Sequence, residues 1–324
     1  MKYLSARVKT RDSFRHPGDP ICFEYNGETH EVRAIMEHWK EARVDPSMYH
    51  EEFYRIEAQN RQYYILRYSV LFDSWWIRET KREKMIIIPA IDLHEGQVVR
   101  LKKGKFDDIS FYNKAPADVA RAFEQAGATR IHVVDLDGSV SGRRVNAEAI
   151  SSICSSVEVE VELGGGIRSH EDATKAFDLG VHYVILGTMV VEKKEASMDL
   201  IRAFPSRVGI GIDAVKGKVA IKGWKEITRF DAVEMARSYE NAHPAFIVYT
   251  DISRDGMMQG PNIEETAALA QAVHTPVIAS GGVSCLDDLI RLSKTGVMFG
   301  AITGKAMYEG KINLENAIKK IKEI

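Results

Sequence analysis

The sequence predicts an α/β protein: a closed (β/α)8 barrel built from two half-barrel repeats, preceded by a small β-rich domain. Three observations carry that prediction. Strand-like and helix-like stretches alternate through the last 240 residues. Four short motifs in this part recur about 116 to 121 residues apart. Finally, about half of the aromatic residues fall in the first quarter of the chain, where the composition differs from everything after residue 84.

Residues 1–84 read as the β-rich module and its linker. Ile21–Tyr25 runs into Asn26-Gly27, a strong two-residue hairpin signal, and then into Glu31–Ile35. Phe53–Glu57 and Tyr63–Tyr68 flank a turn at Gln59-Asn60-Arg61. Fifteen Lys and Arg stand against fourteen Asp and Glu, so no basic nucleic-acid face is indicated, despite aromatics interleaved with Arg55, Arg61, Arg67 and Arg78. The aromatics read instead as the core of a tiny barrel-like sheet, because small domains need large apolar side chains. Thr80–Lys84 is a charged run with helical character that links to an apolar strand beginning at Met85.

In residues 85–324, strands are expected to begin near Ile86, Arg130, Glu158, Val181, Arg207, Ala245, Thr275 and Val297. They are short β-branched runs bounded by Gly, Asp or Pro, the pattern of strands buried on both faces. Amphipathic stretches such as 116–126 and 169–179 lie between them. Eight such units in 240 residues fit a TIM barrel, for which about 250 is typical. An open doubly wound sheet more often carries fewer strands and one phosphate loop. Two four-unit halves complete a ring.

Composition narrows the function. Formal net charge is −2, which gives no electrostatic case for nucleic acid or an anionic membrane. The three cysteines are scattered without Cys-x-x-Cys spacing, which suits a reduced cytoplasmic setting and no thiolate metal site. The N-terminus does not read as a signal peptide, and the longest apolar run, Val181–Val191, is too short to span a bilayer. The ten histidines show no ligand spacing, and neither a Gly-x-Gly-x-x-Gly loop nor a Gly-x-Ser-x-Gly elbow is placed for use. Proton transfer without metal or cofactor is the chemistry that remains.

The repeats supply its candidates. Ile88–Asp92 is echoed by Gly209–Asp213, which sets Asp92 and Asp213 at the ends of strands one and five, across the barrel mouth from each other. Two opposed carboxylates suit a general base and a general acid, although a lone Asp there is commonly just a turn or helix cap. Gly164-Gly165-Gly166 is echoed by Ser280-Gly281-Gly282, and Gly187-Thr188 by Gly304-Lys305. Glycines let backbone N–H groups approach an anion, and a following helix adds its positive end. Gly165, Gly166, Gly187 and Thr188 form one expected phosphate seat; Gly281, Gly282, Gly304 and Lys305 form the other. A small-molecule ligand with a phosphate at each end follows.

Ile88-Pro89-Ala90-Ile91-Asp92-Leu93, His132–Gly138, Glu162–Arg168, Gly211-Ile212-Asp213, Gly223-Trp224, Tyr249–Gly256 and Gly304–Gly310 together resemble the phosphoribosylformimino-aminoimidazole carboxamide ribotide (ProFAR) isomerases of histidine biosynthesis, over the whole of residues 85–324. The resemblance implies an Amadori rearrangement of an aminoaldose to an aminoketose. It makes Asp92 the acceptor of the sugar C2 hydrogen and Asp213 the donor that opens the ring. It also implies that Arg100, Arg168 and Trp224 hold or cover the substrate. Thr250, set opposite Asp135 in the duplicated plan, becomes a polar contact near the sugar, and Asp135 joins the substrate-binding candidates. Met257 and Arg144 depart from the family pattern.

The nearest rival is the cyclase subunit of imidazole glycerol phosphate synthase, which typically has Cys-Leu-Asp-Val on strand one and a histidine after Gly-Gly-Gly-Ile. This chain has Ala90-Ile91-Asp92-Leu93 and Arg168. Two more functions compete with the isomerase: a dual isomerase that also accepts phosphoribosyl anthranilate, and a phosphosugar-sensing scaffold. Residues 1–84 lie outside the resemblance, are only weakly similar to small bacterial β modules, and are assigned no partner.

Overall fold

The computed structural model describes residues 3–11, 17–42, 50–60, 62–80, 84–102, 105–112, 114–142, 145–221, 223–224 and 226–324. Contacts divide the chain into two compact units, Met1–Glu83 and Lys84–Ile324.

The first unit is a seven-stranded antiparallel sheet in the order Leu4–Ala6, Ser74–Thr80, Tyr63–Ser69, His50–Ala58, Glu28–Ala42, Pro20–Tyr25, Val8–Thr10. Its two edge strands are separated in the chain by Arg7 alone, so the sheet curls until its ends are joined by one residue. Two register shifts in the 15-residue strand Glu28–Ala42 provide the bend. The Asn26-Gly27 hairpin forms as expected, both residues at positive φ. Phe23, Tyr54, Ile56, Tyr64, Leu66 and Ile77 fill the core. Both edge strands and Ser74–Thr80 escape the sequence reading: three residues are too few to show a period, and Trp75-Trp76 breaks the alternation. Most of the expected helical linker, residues 81–83, lies outside the described residues.

The second unit is an eight-stranded parallel barrel: β1 (Ile86–His94), β2 (Arg130–Asp135), β3 (Glu160–Gly164), β4 (Tyr183–Leu186), β5 (Val208–Val215), β6 (Ile247–Asp251), β7 (Val277–Ser280) and β8 (Gly300–Thr303). Each strand pairs in parallel with the next, and β8 pairs with β1 to close the ring. Several strands start two or three residues later than expected, because apolar residues such as Val181 and Ala245 lie at or just before a bend that the chain makes before pairing begins. Outward residues such as Ile87, Ile131, Val161, Val184 and Ile210 pack against the surrounding helices. Ser169, Asp231, Asn262 and Asn313 cap four of those helices through their side-chain oxygens. Inward residues Ile88, Ala90, Ile185, Phe246, Val248, Ile278 and Ile302 form a separate core inside the ring.

An unexpected feature occurs twice. After β1 the chain makes a hairpin extension, Gln97–Lys102 and Lys105–Phe111, and after β5 it makes another, Lys218–Ile221 and Glu226–Asp231. Each opens on a tight turn with two residues at positive φ, Glu95-Gly96 and Lys216-Gly217. The two pairs stand at equivalent places in the repeats.

Candidate active site

Side chains of a strand alternate between faces, so the parity set by Ile88 and Ala90 carries Asp92 into the barrel mouth. Val208, Ile210 and Ile212 face the helices, which by the same rule turns Asp213 inward on β5. Asp92 is in register with Val134 on β2, and Asp213 with Thr250 on β6. The two carboxylates therefore hold equivalent places on strands half a ring apart.

Asp213 sits in a specific environment. Burial pushes its carboxyl above the usual range, while the indole N–H of Trp224, at 2.9 Å, and the Thr250 hydroxyl pull it back. The nearby charge of Asp255 raises it further and His132 lowers it. Burial wins. Trp224 reaches this position from a loop in which it and Gly223 both adopt positive φ, an uncommon conformation for a bulky residue.

Local packing dictates the glycine pairs. Gly165 has φ +95°, and a methyl group there would lie 2.2 Å from the Asp135 carbonyl oxygen. Gly281, at φ +86°, would meet the Asp251 carbonyl at 2.8 Å. Gly166 and Gly282 are pressed in the same way against Gly138 and Gly260. No other residue fits these turns, which lock loop three onto loop two and loop seven onto loop six. Gly187 is different, with open space around it, and Thr188 precedes the short helix Met189–Glu192. Lys305 follows Gly304 and turns its ammonium to the Gly256 carbonyl at 3.1 Å, with Glu309 at 3.6 Å.

The other sequence candidates separate. Thr250 is at the site. Arg168 is exposed and reaches over loop two, donating to Ser139 O at 2.8 Å. The Arg100 side chain and Arg144 lie outside what the structure describes. Asp135 takes a different part from the one expected. Its carboxylate is buried, caps the turn at Gly138 N at 2.8 Å and accepts from Asn146 at 2.6 Å. Its counterpart in the other half is Asp251, which binds Ser253 and, at 2.7 Å, Asn262. Thr250 therefore corresponds to Val134, not to Asp135, and Asp135 is a loop anchor.

Three residues without an expected role also belong here: His132, Glu162 and Asp255. All three lie inside the quoted motifs, but nothing in their spacing sets them apart. Among the described residues, no group of three or more His, Cys, Asp or Glu is placed to hold a metal ion. Nor is any described helix long and apolar enough to cross a membrane.

Residues 86–313 match the family model described as Histidine biosynthesis protein. The chain belongs to that family. It is 49% identical over 238 residues, 74% of this chain and 100% of the relative, to the 1-(5-phosphoribosyl)-5-((5-phosphoribosylamino)methylideneamino)imidazole-4-carboxamide isomerase of Cereibacter sphaeroides. Proteins of the same name from Syntrophus aciditrophicus (49% over 237 residues) and Sulfurihydrogenibium sp. (47% over 234) are each matched over 72% of this chain and 98% of their own length.

Proposed function

We infer that the barrel unit catalyses the isomerisation for which these relatives are named: the aminoaldose ProFAR becomes the corresponding aminoketose in histidine biosynthesis. The observation that carries the mechanism is the opposed pair of inward carboxylates, of which Asp213 is biased by burial to keep its proton. A carboxyl that holds its proton above the ordinary carboxylate range is what a general acid needs. Asp213 donates that proton as the ribose ring opens. Asp92 then removes the hydrogen from C2, and the resulting enolamine becomes the ketose as C1 takes up a proton and the C2 hydroxyl gives one up, which returns both carboxyls to their starting states. No atom is gained or lost. Trp224 and Thr250 hold Asp213, and Arg168 and Arg100 contribute to substrate holding.

The glycine loops of the two halves seat the two terminal phosphates, Gly165, Gly166, Gly187 and Thr188 at one end and Gly281, Gly282, Gly304 and Lys305 at the other. Backbone N–H groups suit that task. Lys305 releases Glu309 to serve its phosphate. Three dispersed cysteines without disulfides fit the reduced cytoplasmic compartment in which such an enzyme works.

The test is a steady-state assay of the full chain on ProFAR without ammonia or a glutaminase partner. Asp92→Asn and Asp213→Asn should each lower kcat by about two orders of magnitude or more, with the fold intact by circular dichroism. Turnover at the wild-type rate in either variant would overturn the assignment.

A further inference from the structure

Glu162 is fully buried and inward-facing on β3, and the proposed isomerisation leaves it without a task. Its two oxygens have different partners. Oε1 lies 2.7 Å from Nδ1 of His132, the residue beside it on β2. Oε2 lies 3.5 Å from the Arg130 guanidinium. Arg130 in turn holds Glu160 at 2.7 Å, and Tyr183 donates to Glu160 at 2.7 Å. The guanidinium also lies over the Tyr183 ring at 4.2 Å. A buried carboxylate with no charge to balance it would be strongly unfavourable, and the Arg130 guanidinium stands where it supplies that balance.

His132 is level with Ala90 on β1, one inward position below Asp92 on the face that also carries Asp213. With a carboxylate on Nδ1, the ring carries its hydrogen there and leaves Nε2 as an acceptor. We propose that Glu162 is a positioning residue for the isomerisation: it holds His132 in one tautomer and one orientation, so that Nε2 accepts a hydroxyl or amide hydrogen of the substrate beside Asp213. The proposal rests on the reading of this mouth as the sugar site and of Asp213 as its acid. The charged and titratable groups near the ring include Glu162 on β3, Arg130 on β2, Asp92 on β1 and Asp213 on β5. Glu160 and Tyr183 stand behind Arg130, and Asp255 stands beside Asp213.

A purely structural Glu162 would serve only as a counterion to Arg130. A double-mutant cycle on the full chain separates the two roles. Glu162→Gln should lower kcat about tenfold or more while KM stays within about threefold. In a His132→Asn background the same change should cost little further in kcat. An equal kcat loss in both backgrounds, or a lower melting temperature with kcat unchanged, would overturn the proposal. Nitrogen NMR of the histidine-labelled wild-type enzyme provides a readout independent of whether the variants fold. The Nδ1–H tautomer is expected at His132, and the Nε2–H tautomer would refute the idea. Asp213→Asn is assayed alongside. If it loses activity while Glu162→Gln does not, only this inference fails; if it retains full activity, the acid assignment fails first.

Discussion

The two halves of the barrel share a frame and differ in their lining. Asp92 and Asp213, the paired glycines, the hairpin extensions and the Asp135–Asn146 and Asp251–Asn262 anchors all repeat. The inward positions do not. Where the first half has Arg130, His132 and Glu162, the second has Phe246, Val248 and Ile278, and where the first has Val134, the second has Thr250. The retained parts are those that backbone geometry requires. The parts that differ act on charge: Thr250 and Trp224 serve Asp213, whereas the ring interior under Asp92 carries an ion-pair chain. Duplication thus provides two equivalent carboxylates, and the lining makes them unequal.

The sharpest way to break the shared frame is at the glycine turns. Gly165→Ala forces a methyl group to 2.2 Å from a backbone oxygen at a positive φ, whereas Gly281→Ala meets its oxygen at 2.8 Å. Urea unfolding should show a loss of about 4 kcal/mol for the first and about 2 kcal/mol for the second. Gly187→Ala, with open space around it, should stay within about 1 kcal/mol of wild type on the same measurement. If all three cost the same, close approach is not what fixes these glycines.

The loop anchors should give a smaller difference in the same direction. Asn146 is completely buried, donates to Asp135, Asp137 and Leu93 O, and accepts from Gly96 N, so it ties the turn after β1 to loop two. Asn262 donates to Asp251 and caps the following helix. Asn146→Ala should cost about 3 kcal/mol and Asn262→Ala about 1 kcal/mol by denaturant titration, because the first strands more buried polar groups. Equal losses would mean that the two anchors are as alike in energy as they are in sequence.

The same contrast explains what can be read from the chain without its structure. Eight strands are legible because runs such as Ile86-Ile87-Ile88 and Val181–Leu186 suit strands covered on both faces. Asp92 and Asp213 are legible because each closes a repeated motif at the same place. Asp135 falls one residue out of step when it is set opposite Thr250. The echo Val248-Tyr249-Thr250-Asp251 allows either alignment, and in a strand one step exchanges the inner face for the outer. The hairpin extensions are hidden because Glu95-Gly96 and Lys216-Gly217 lack the Asn or Asp that usually announces such turns. The Arg130–Glu162–His132 chain is hidden for another reason. Charged residues alternating with apolar ones suggest a face turned to water, and only ring closure turns that face inward.

The inequality of the carboxylates has a consequence for stability, the smallest effect expected here. Burial raises the folded-state pKa of Asp213, so the folded protein binds this proton more tightly than the unfolded chain does. Stability from that source is complete below the ordinary Asp value of about 3.9 and is lost as pH rises through the higher folded value. Above that folded value the ionised, desolvated carboxylate works against the fold, and the Trp224 and Thr250 hydrogen bonds recover only part of the cost. Asp213→Asn removes the charge and keeps the shape. Its melting temperature should exceed that of wild type at neutral pH, and the advantage should shrink as the buffer is taken down towards pH 4. A variant less stable than wild type at neutral pH would show that the hydrogen bonds outweigh burial, and that Asp213 is held as an anion rather than as an acid.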